Sequence, residues 1–361
     1  MKHRELIEAT IRRAGHGGAS GFWVGHPAAE TKSIYSEALG LGGLRQEARV
    51  KGSILLSDNC DSREIEFQEA IGSDLVWVSP ELDPTAWKHP GGRPMWDCFD
   101  HNRASLCDAG VFAECEDVAE VEAFAWPDPA YLDFSSTVEN TRIAYEKGLA
   151  VFGGMWCPFF HILSDFFGME NYFVKMYTHP EVVHAVTRRV VDFLVSANTA
   201  LLRQTAPYLS AGFFGNDLGT QISMMVSLDC FDEFILPSIR RIADTIRQAG
   251  LPVAFHSCGA IEPLIPRLID AGVELLHPLQ ARARGMDAET LASRYRGRLI
   301  FMGGVDTQQL LPFGTPEQVR AEVLRLRGIF GDDFIVSPSH EALLPNVPFE
   351  NAAAMSRAAK E

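Results

Sequence analysis

The sequence has no CxxC pair, and its seven cysteines (Cys60, Cys98, Cys107, Cys115, Cys157, Cys230 and Cys258) are odd in number. That argues against a disulfide framework and for a reducing compartment. No apolar run reaches the ~18 residues that a membrane span requires. The stretch from Met1 to Gly18 carries Glu5, Glu8 and several basic side chains where a secretory signal would be apolar, so a cytoplasmic location is expected. Lys and Arg number 32 against 47 Asp and Glu. With no local basic patch, the net charge of -15 repels nucleic-acid backbones and anionic lipid alike. Walker, GxGxxG and GxSxG sequences are missing, which removes the commonest phosphate loops and the hydrolase elbow. There is no internal repeat, low-complexity tract or Gly/Ser linker, so the simplest organisation is one domain over residues 1–361.

What is there is enough for a large core: 361 residues, 47% hydrophobic and 22% charged, a composition that excludes disorder. Short apolar runs fall at Gly21 to Gly25, Leu75 to Val78, Val151 to Trp156, Gly212 to Asp217, Val253 to Cys258, Glu274 to Gln280, Leu299 to Val305 and Phe334 to His340. Helical patterns separate them. From Pro180 to Arg203, Val182, Val186, Val190, Phe193, Ala197 and Leu201 recur at three-to-four spacing, and Cys230 to Gln248 carries a similar stripe. Earlier helices are expected at Thr31 to Leu39 and Arg63 to Ile71. Eight strand-helix units predict an α/β fold of the (β/α)8 TIM-barrel type. The stretch from Pro80 to Pro129 breaks the rhythm with Pro84, Pro90, Gly91, Gly92, Pro94, Pro127 and Pro129. It is read as an insertion, at about residues 80–129, on the barrel rim.

In such a barrel the reactive residues lie at the carboxyl ends of the strands. Here those ends carry His26, Trp156 and Cys157, Asn216 and Asp217, His256 and Cys258, Gln280, Asp306, and His340 with Glu341. Asp217 and Asp306 could equally cap the helices that follow. His256 and Cys258 are two apart on one strand, so imidazole and thiol face the same way, a zinc-type donor pair. A third ligand is expected from His340, with Glu341 as substitute; the bland alternative is a buried thiol beside a hydrogen-bonded core histidine. His26 could contact substrate or simply stand in a turn. His161, His179 and His184 fall in helical patterns and are read as structural. Gly303 and Gly304 would let a ligand or a neighbouring strand approach. The aromatic residues at strand ends, Trp156 among them, are core by default, though several could wall a pocket for a planar ligand.

At these residues a resemblance emerges. Asn216-Asp217-Leu218-Gly219-Thr220-Gln221, Phe255-His256-Ser257-Cys258-Gly259, Gly303-Gly304-Val305-Asp306, and Pro338-Ser339-His340 with Pro348-Phe349-Glu350-Asn351 resemble the uroporphyrinogen decarboxylase superfamily. The likeness extends from about Phe152 to Met355, and weakly over Phe22 to Pro27. It implies a (β/α)8 barrel and one of two activities. One branch decarboxylates uroporphyrinogen without a cofactor; the other comprises zinc-dependent methyltransferases that exchange methyl groups between corrinoids and thiols or other small acceptors. The decarboxylases carry an arginine-rich stretch near the N-terminus, whereas Phe22 to Glu30 here contains no arginine. The methyltransferases carry His-x-Cys on one strand, as His256 and Cys258 do, but their last ligand is a cysteine where this chain has His340. A histidine there also resembles the decarboxylase pattern.

The leading expectation is therefore a methyltransferase whose zinc is held by His256, Cys258 and His340. Asp217 and Asp306 are its candidate catalytic residues, and His26, Trp156, Asn216 and Gln280 its candidate substrate contacts. No DxHxxG corrinoid motif is present, so a corrinoid would arrive as free cofactor or on a separate protein. A homodimer is left open. The runner-up is a decarboxylase of uroporphyrinogen or another carboxylated molecule, with Asp217 or Asp306 stabilising a protonated pyrrole. A third reading is a non-catalytic barrel that binds a corrinoid or tetrapyrrole.

Overall fold

Eight parallel strands alternate with helices in the computed structural model, which describes residues 3–15, 18–42, 60–80, 86–92, 95 and 107–361. They are β1 (Gly21–Phe22), β2 (Leu75–Val78), β3 (Ala150–Gly153), β4 (Ala211–Gly215), β5 (Val253–His256), β6 (Leu275–Leu279), β7 (Ile300–Val305) and β8 (Phe334–Pro338). Each predicted run overlaps one of them, β3 and β4 starting one residue earlier than predicted. The order β1-β8-β7-β6-β5-β4-β3-β2 closes all but one seam of a (β/α)8 barrel. At that seam, between β1 and β2, Asp74 bridges the strands with its backbone and its side chain. The Asp74 N–H donates to the Phe22 carbonyl at 2.7 Å, and the Asp74 carboxylate accepts the Phe22 N–H at 2.8 Å. The same buried carboxylate binds His3 at 2.7 Å and Lys360, tying both ends of the described chain to the seam.

The helices largely match their patterns. Pro180–Thr205 buries Val182, Val186, Val190, Phe193, Ala197 and Leu201 on one side. The helix expected from Cys230 to Gln248 is interrupted: a π-turn at Phe231–Ile235 precedes the regular helix Leu236–Gln248. Pro237 explains the break, because it has no N–H to donate to the preceding turn. In the expected insertion, Pro84, Pro94 and Cys98 lie outside the described residues. In its described part Trp87 packs on Tyr131, and Phe112 stacks on Phe166 of the helix Phe159–Phe167. No helix among the described residues is long and apolar enough to cross a membrane.

The barrel interior sets up the site. Because side chains alternate along a strand, Leu75, Ala150, Phe152, Phe213, Ala254, Leu275, Ile300 and Ile335 fill the interior. Ile7, from the helix His3–Ile11, joins this cluster and packs against Gly21 at the amino ends of the strands. Two residues beyond Leu75, Ala254, Leu275 and Ile335 on their own strands stand Trp77, His256, His277 and Ser337. The interior thus changes from aliphatic to polar and aromatic as it approaches the carboxyl ends, where barrel chemistry is carried out.

Candidate active site

His256 is the last residue of β5 and 3% exposed. Its side chain fits because β4 ends in Gly215, where a Cβ would lie 2.5 Å from the His256 Cβ and 2.8 Å from the Trp156 ring. Asp217, just past β4, organises the neighbourhood with one oxygen. Its Oδ1 accepts the Cys258 N–H at 2.9 Å and the His256 Nε2–H at 3.2 Å. Its other oxygen lies 3.9 Å from His161 Nε2. The Cys258 sulfur is 3.6 Å from His256 Nε2. From the far side of the mouth, Glu341 Oε2 approaches His256 Nδ1 at 3.9 Å and His340 Nδ1 at 3.6 Å.

Among the described residues, two groups could hold a metal ion: Asp217, His256 and Cys258, and then Cys258, His340 and Glu341. Cys258 belongs to both. The three ligands expected from the sequence thus meet at Cys258 but do not form a single cluster, since His256 and His340 each join the thiol in company with a different carboxylate. The donor chemistry fits a cation. Glu341 Oε2 is buried without a hydrogen-bond partner among the described residues, and an anionic oxygen left so is costly unless a positive charge satisfies it. The electrostatics agree. Burial, then the charges of Asp217 and Glu341, push the Cys258 thiol well above its ordinary range, so only a nearby cation would make it a thiolate.

The other groups divide into charged and neutral. Enclosure by protein opposes ionisation of Asp217, but the hydrogen bond and charge of His256, then His161 and the Cys258 N–H, hold its pKa well below the usual carboxylate range. His256 is pushed up: burial disfavours its charge, and Glu341 and Asp217 outweigh that. His277 goes well down, through burial and then the positive charges of His256 and His340.

The remaining expected residues fall around this cluster. Trp156 is partly exposed, with its ring 5.2 Å from His256 and 4.8 Å from Trp77. The two indoles cap the interior cluster at the mouth. Asn216 is fully buried; its Oδ1 accepts the Phe160 N–H at 2.8 Å and its Nδ2 donates to the Cys157 carbonyl at 3.3 Å. Gln280 Oε1 accepts the Gly259 N–H at 2.6 Å, steadying the loop that carries Cys258. His26 lies beside Lys32, whose Nζ is 3.1 Å from His26 Nε2 and 2.9 Å from Glu64. Asp306 accepts the Gln308 N–H at 2.8 Å in a turn and pairs with Arg282 at 3.3 Å, away from the donor cluster. Gly303 makes room for a strand rather than a ligand, since a Cβ there would meet the Leu279 nitrogen at 2.4 Å.

Two histidines in the cluster are not singled out by the sequence patterns. His161, read as structural, lies in the helix Phe159–Phe167 with its ring turned to Asp217. His277 stands in the middle of β6, directly paired in register with His256 on β5. The available signal is a histidine inside an otherwise apolar strand run, on the strand next to the one carrying His256.

Comparisons with known proteins place these features in a wider group. The family model described as uroporphyrinogen decarboxylase (URO-D) matches residues 109–361. The methylated-thiol--coenzyme M methyltransferase of Methanosarcina mazei is 27% identical over 257 residues, a stretch that covers 66% of this chain and 62% of that enzyme. The match therefore spans less than two thirds of that enzyme's length. A solved structure of a methyltransferase from Methanosarcina mazei superposes with a TM-score of 0.64 at 16% identity, covering 99% of this chain and 98% of that chain. At that identity the likeness speaks for the fold.

Proposed function

The chain belongs to the uroporphyrinogen decarboxylase family, and from that premise we propose that it is a zinc-dependent methyltransferase, moving a methyl group between a small molecule or thiol and a corrinoid. The observation that carries this reading is a thiol, Cys258, shared by two donor groups beside a buried carboxylate oxygen that lacks a partner. The relative whose name includes methylated thiol and coenzyme M supports it.

His256, Cys258 and His340 would hold the metal, with Glu341 competing for the third place. His340 Nδ1 already accepts the Ala342 N–H at 3.1 Å, which leaves Nε2 as its coordinating nitrogen. When bound, zinc supplies a positive charge that lowers the pKa of a thiol placed against it, so that the nucleophile is a thiolate near neutral pH. The residues around it bind and orient. Trp77 and Trp156 form a floor on which the apolar part of a substrate rests, shielding the reacting sulfur from water. Asp217 is held ionised and is a poor base, so its work is positional: one oxygen fixes the Cys258 backbone and, until metal takes Nε2, the His256 ring. Gln280 and Asn216 brace the loops on either side, and Asp306 with Arg282 and His26 with Lys32 line the rim. The corrinoid is a co-substrate, free or on a separate protein. We read the chain as one cytoplasmic domain with a rim insertion at about residues 80–129.

Metal analysis tests this directly. Protein purified from zinc-replete cells is expected to carry one zinc per chain by elemental analysis. A zinc-free preparation that takes up no zinc in equilibrium dialysis would remove the reading.

A further inference from the structure

We infer that His277 is a positioning residue, which sets the hydrogen-bond direction of His256 so that His256 Nε2 is free to bind metal. The inference rests on the zinc reading above and concerns a residue that takes no part in ligation there.

The geometry is specific. His256 and His277 face each other across adjacent strands, with their Nδ1 atoms 3.0 Å apart. A contact of that length holds one proton, carried by one ring and accepted by the other. At the other side of His256, Nε2 meets the acceptor-only carboxylate of Asp217, so without metal Nε2 carries a proton. When Nε2 becomes a ligand that proton leaves, and the neutral ring must keep its hydrogen on Nδ1. His277 must then accept at Nδ1 and carry its own hydrogen on Nε2. An imidazole can accept at Nδ1 in that state and donate there in the metal-free one, whereas a carbonyl or carboxylate could only accept.

A second observation says what this arrangement costs. His277 is 1% exposed, it is packed against the rings of Trp23 and Phe213, and its Nε2 has no hydrogen-bond partner among the described residues. An unpartnered buried nitrogen lowers stability. An aromatic hydrocarbon of similar shape would relieve that penalty at Nε2 and give up the hydrogen bond to His256. A polar residue under such conditions points to a task, and the one hydrogen bond of its side chain among the described residues is with His256. Outer partners of metal-bound histidines act in this way, fixing the ring and its tautomer.

The test compares His277→Phe and His277→Asn with the wild type, using zinc alone as the probe in a competition titration, alongside thermal melting. Phenylalanine keeps the ring and removes the hydrogen bond, whereas the asparagine amide can restore a polar contact toward His256 Nδ1. The expected result is that His277→Phe still unfolds in a single cooperative transition, with zinc affinity reduced ~10–100-fold. His277→Asn is expected to recover most of that loss. Unchanged zinc affinity in His277→Phe would overturn the inference while leaving the zinc reading intact. Equal losses in both variants would also overturn it, because they would mean that ring bulk rather than the hydrogen bond matters. A wild type that binds no zinc would overturn both.

Discussion

Cys258→Ala is expected to leave the barrel folded while abolishing tight zinc binding and methyl transfer. The residue is partly exposed just past the end of β5 and contributes little to the core, so its loss should leave the circular dichroism spectrum and melting temperature unchanged. Its removal takes away the one donor shared by both clusters and the anionic sulfur that makes the set selective for a soft or borderline cation. Loss of an outer partner of a metal ligand costs ~10–100-fold in affinity, and loss of the thiolate itself should exceed that. The strands already hold the remaining ligands in place, so little folding energy depends on the metal, in contrast to small domains that fold around it. Competition titration with zinc checks the prediction, and a variant that keeps a full equivalent at wild-type affinity would contradict it.

Incubation with uroporphyrinogen is expected to yield no coproporphyrinogen. That substrate presents many carboxylates, and the charges available to meet them are few. Phe22 to Glu30 has no arginine, and Lys32, two residues further on, is buried against Glu64 at 2.9 Å. Arg282 and Arg284, after β6, are the guanidinium groups that could compensate, and Arg282 pairs with Asp306. Asp217 and Glu341 face the mouth with the wrong sign. Each missing charge-assisted hydrogen bond removes about 1.5–3 kcal/mol, so two of them lower affinity by roughly two to four orders of magnitude. Chromatography of the porphyrins after oxidation measures the outcome, and stepwise loss of carboxylates at a useful rate would favour the decarboxylase reading.

The barrel was legible in the sequence because its strands are short apolar runs and its helices carry long stripes, two periods that are hard to confuse over eight repeats. His256 and Cys258 were legible for a related reason: spacing by two on a strand places them on one face. Three-dimensional closure was less accessible. Nothing local indicates that Asp74 completes the β1/β2 seam, since its partners are Phe22, His3 and Lys360. His161 reads in the sequence as one more helical histidine, and its approach to Asp217, far away in the chain, has no local signal. His277 depends on register between β5 and β6, which apolar runs of similar length do not specify. The grouping of His340 with Glu341 rather than with His256 likewise follows from where β8 ends relative to β5.

Methyl transfer from methylcobalamin to small uncharged thiols, followed before and after removal of zinc, tests the account most directly. In that reaction the thiolate sulfur attacks the methyl carbon, the cobalt–carbon bond breaks with its electron pair going to cobalt, and the products are a methyl thioether and cob(I)alamin. The account predicts thioether formation by the zinc-loaded protein, its loss on chelation and its return when zinc is restored. No thioether from any of the thiols with the loaded protein, or a rate indifferent to chelation, would contradict it.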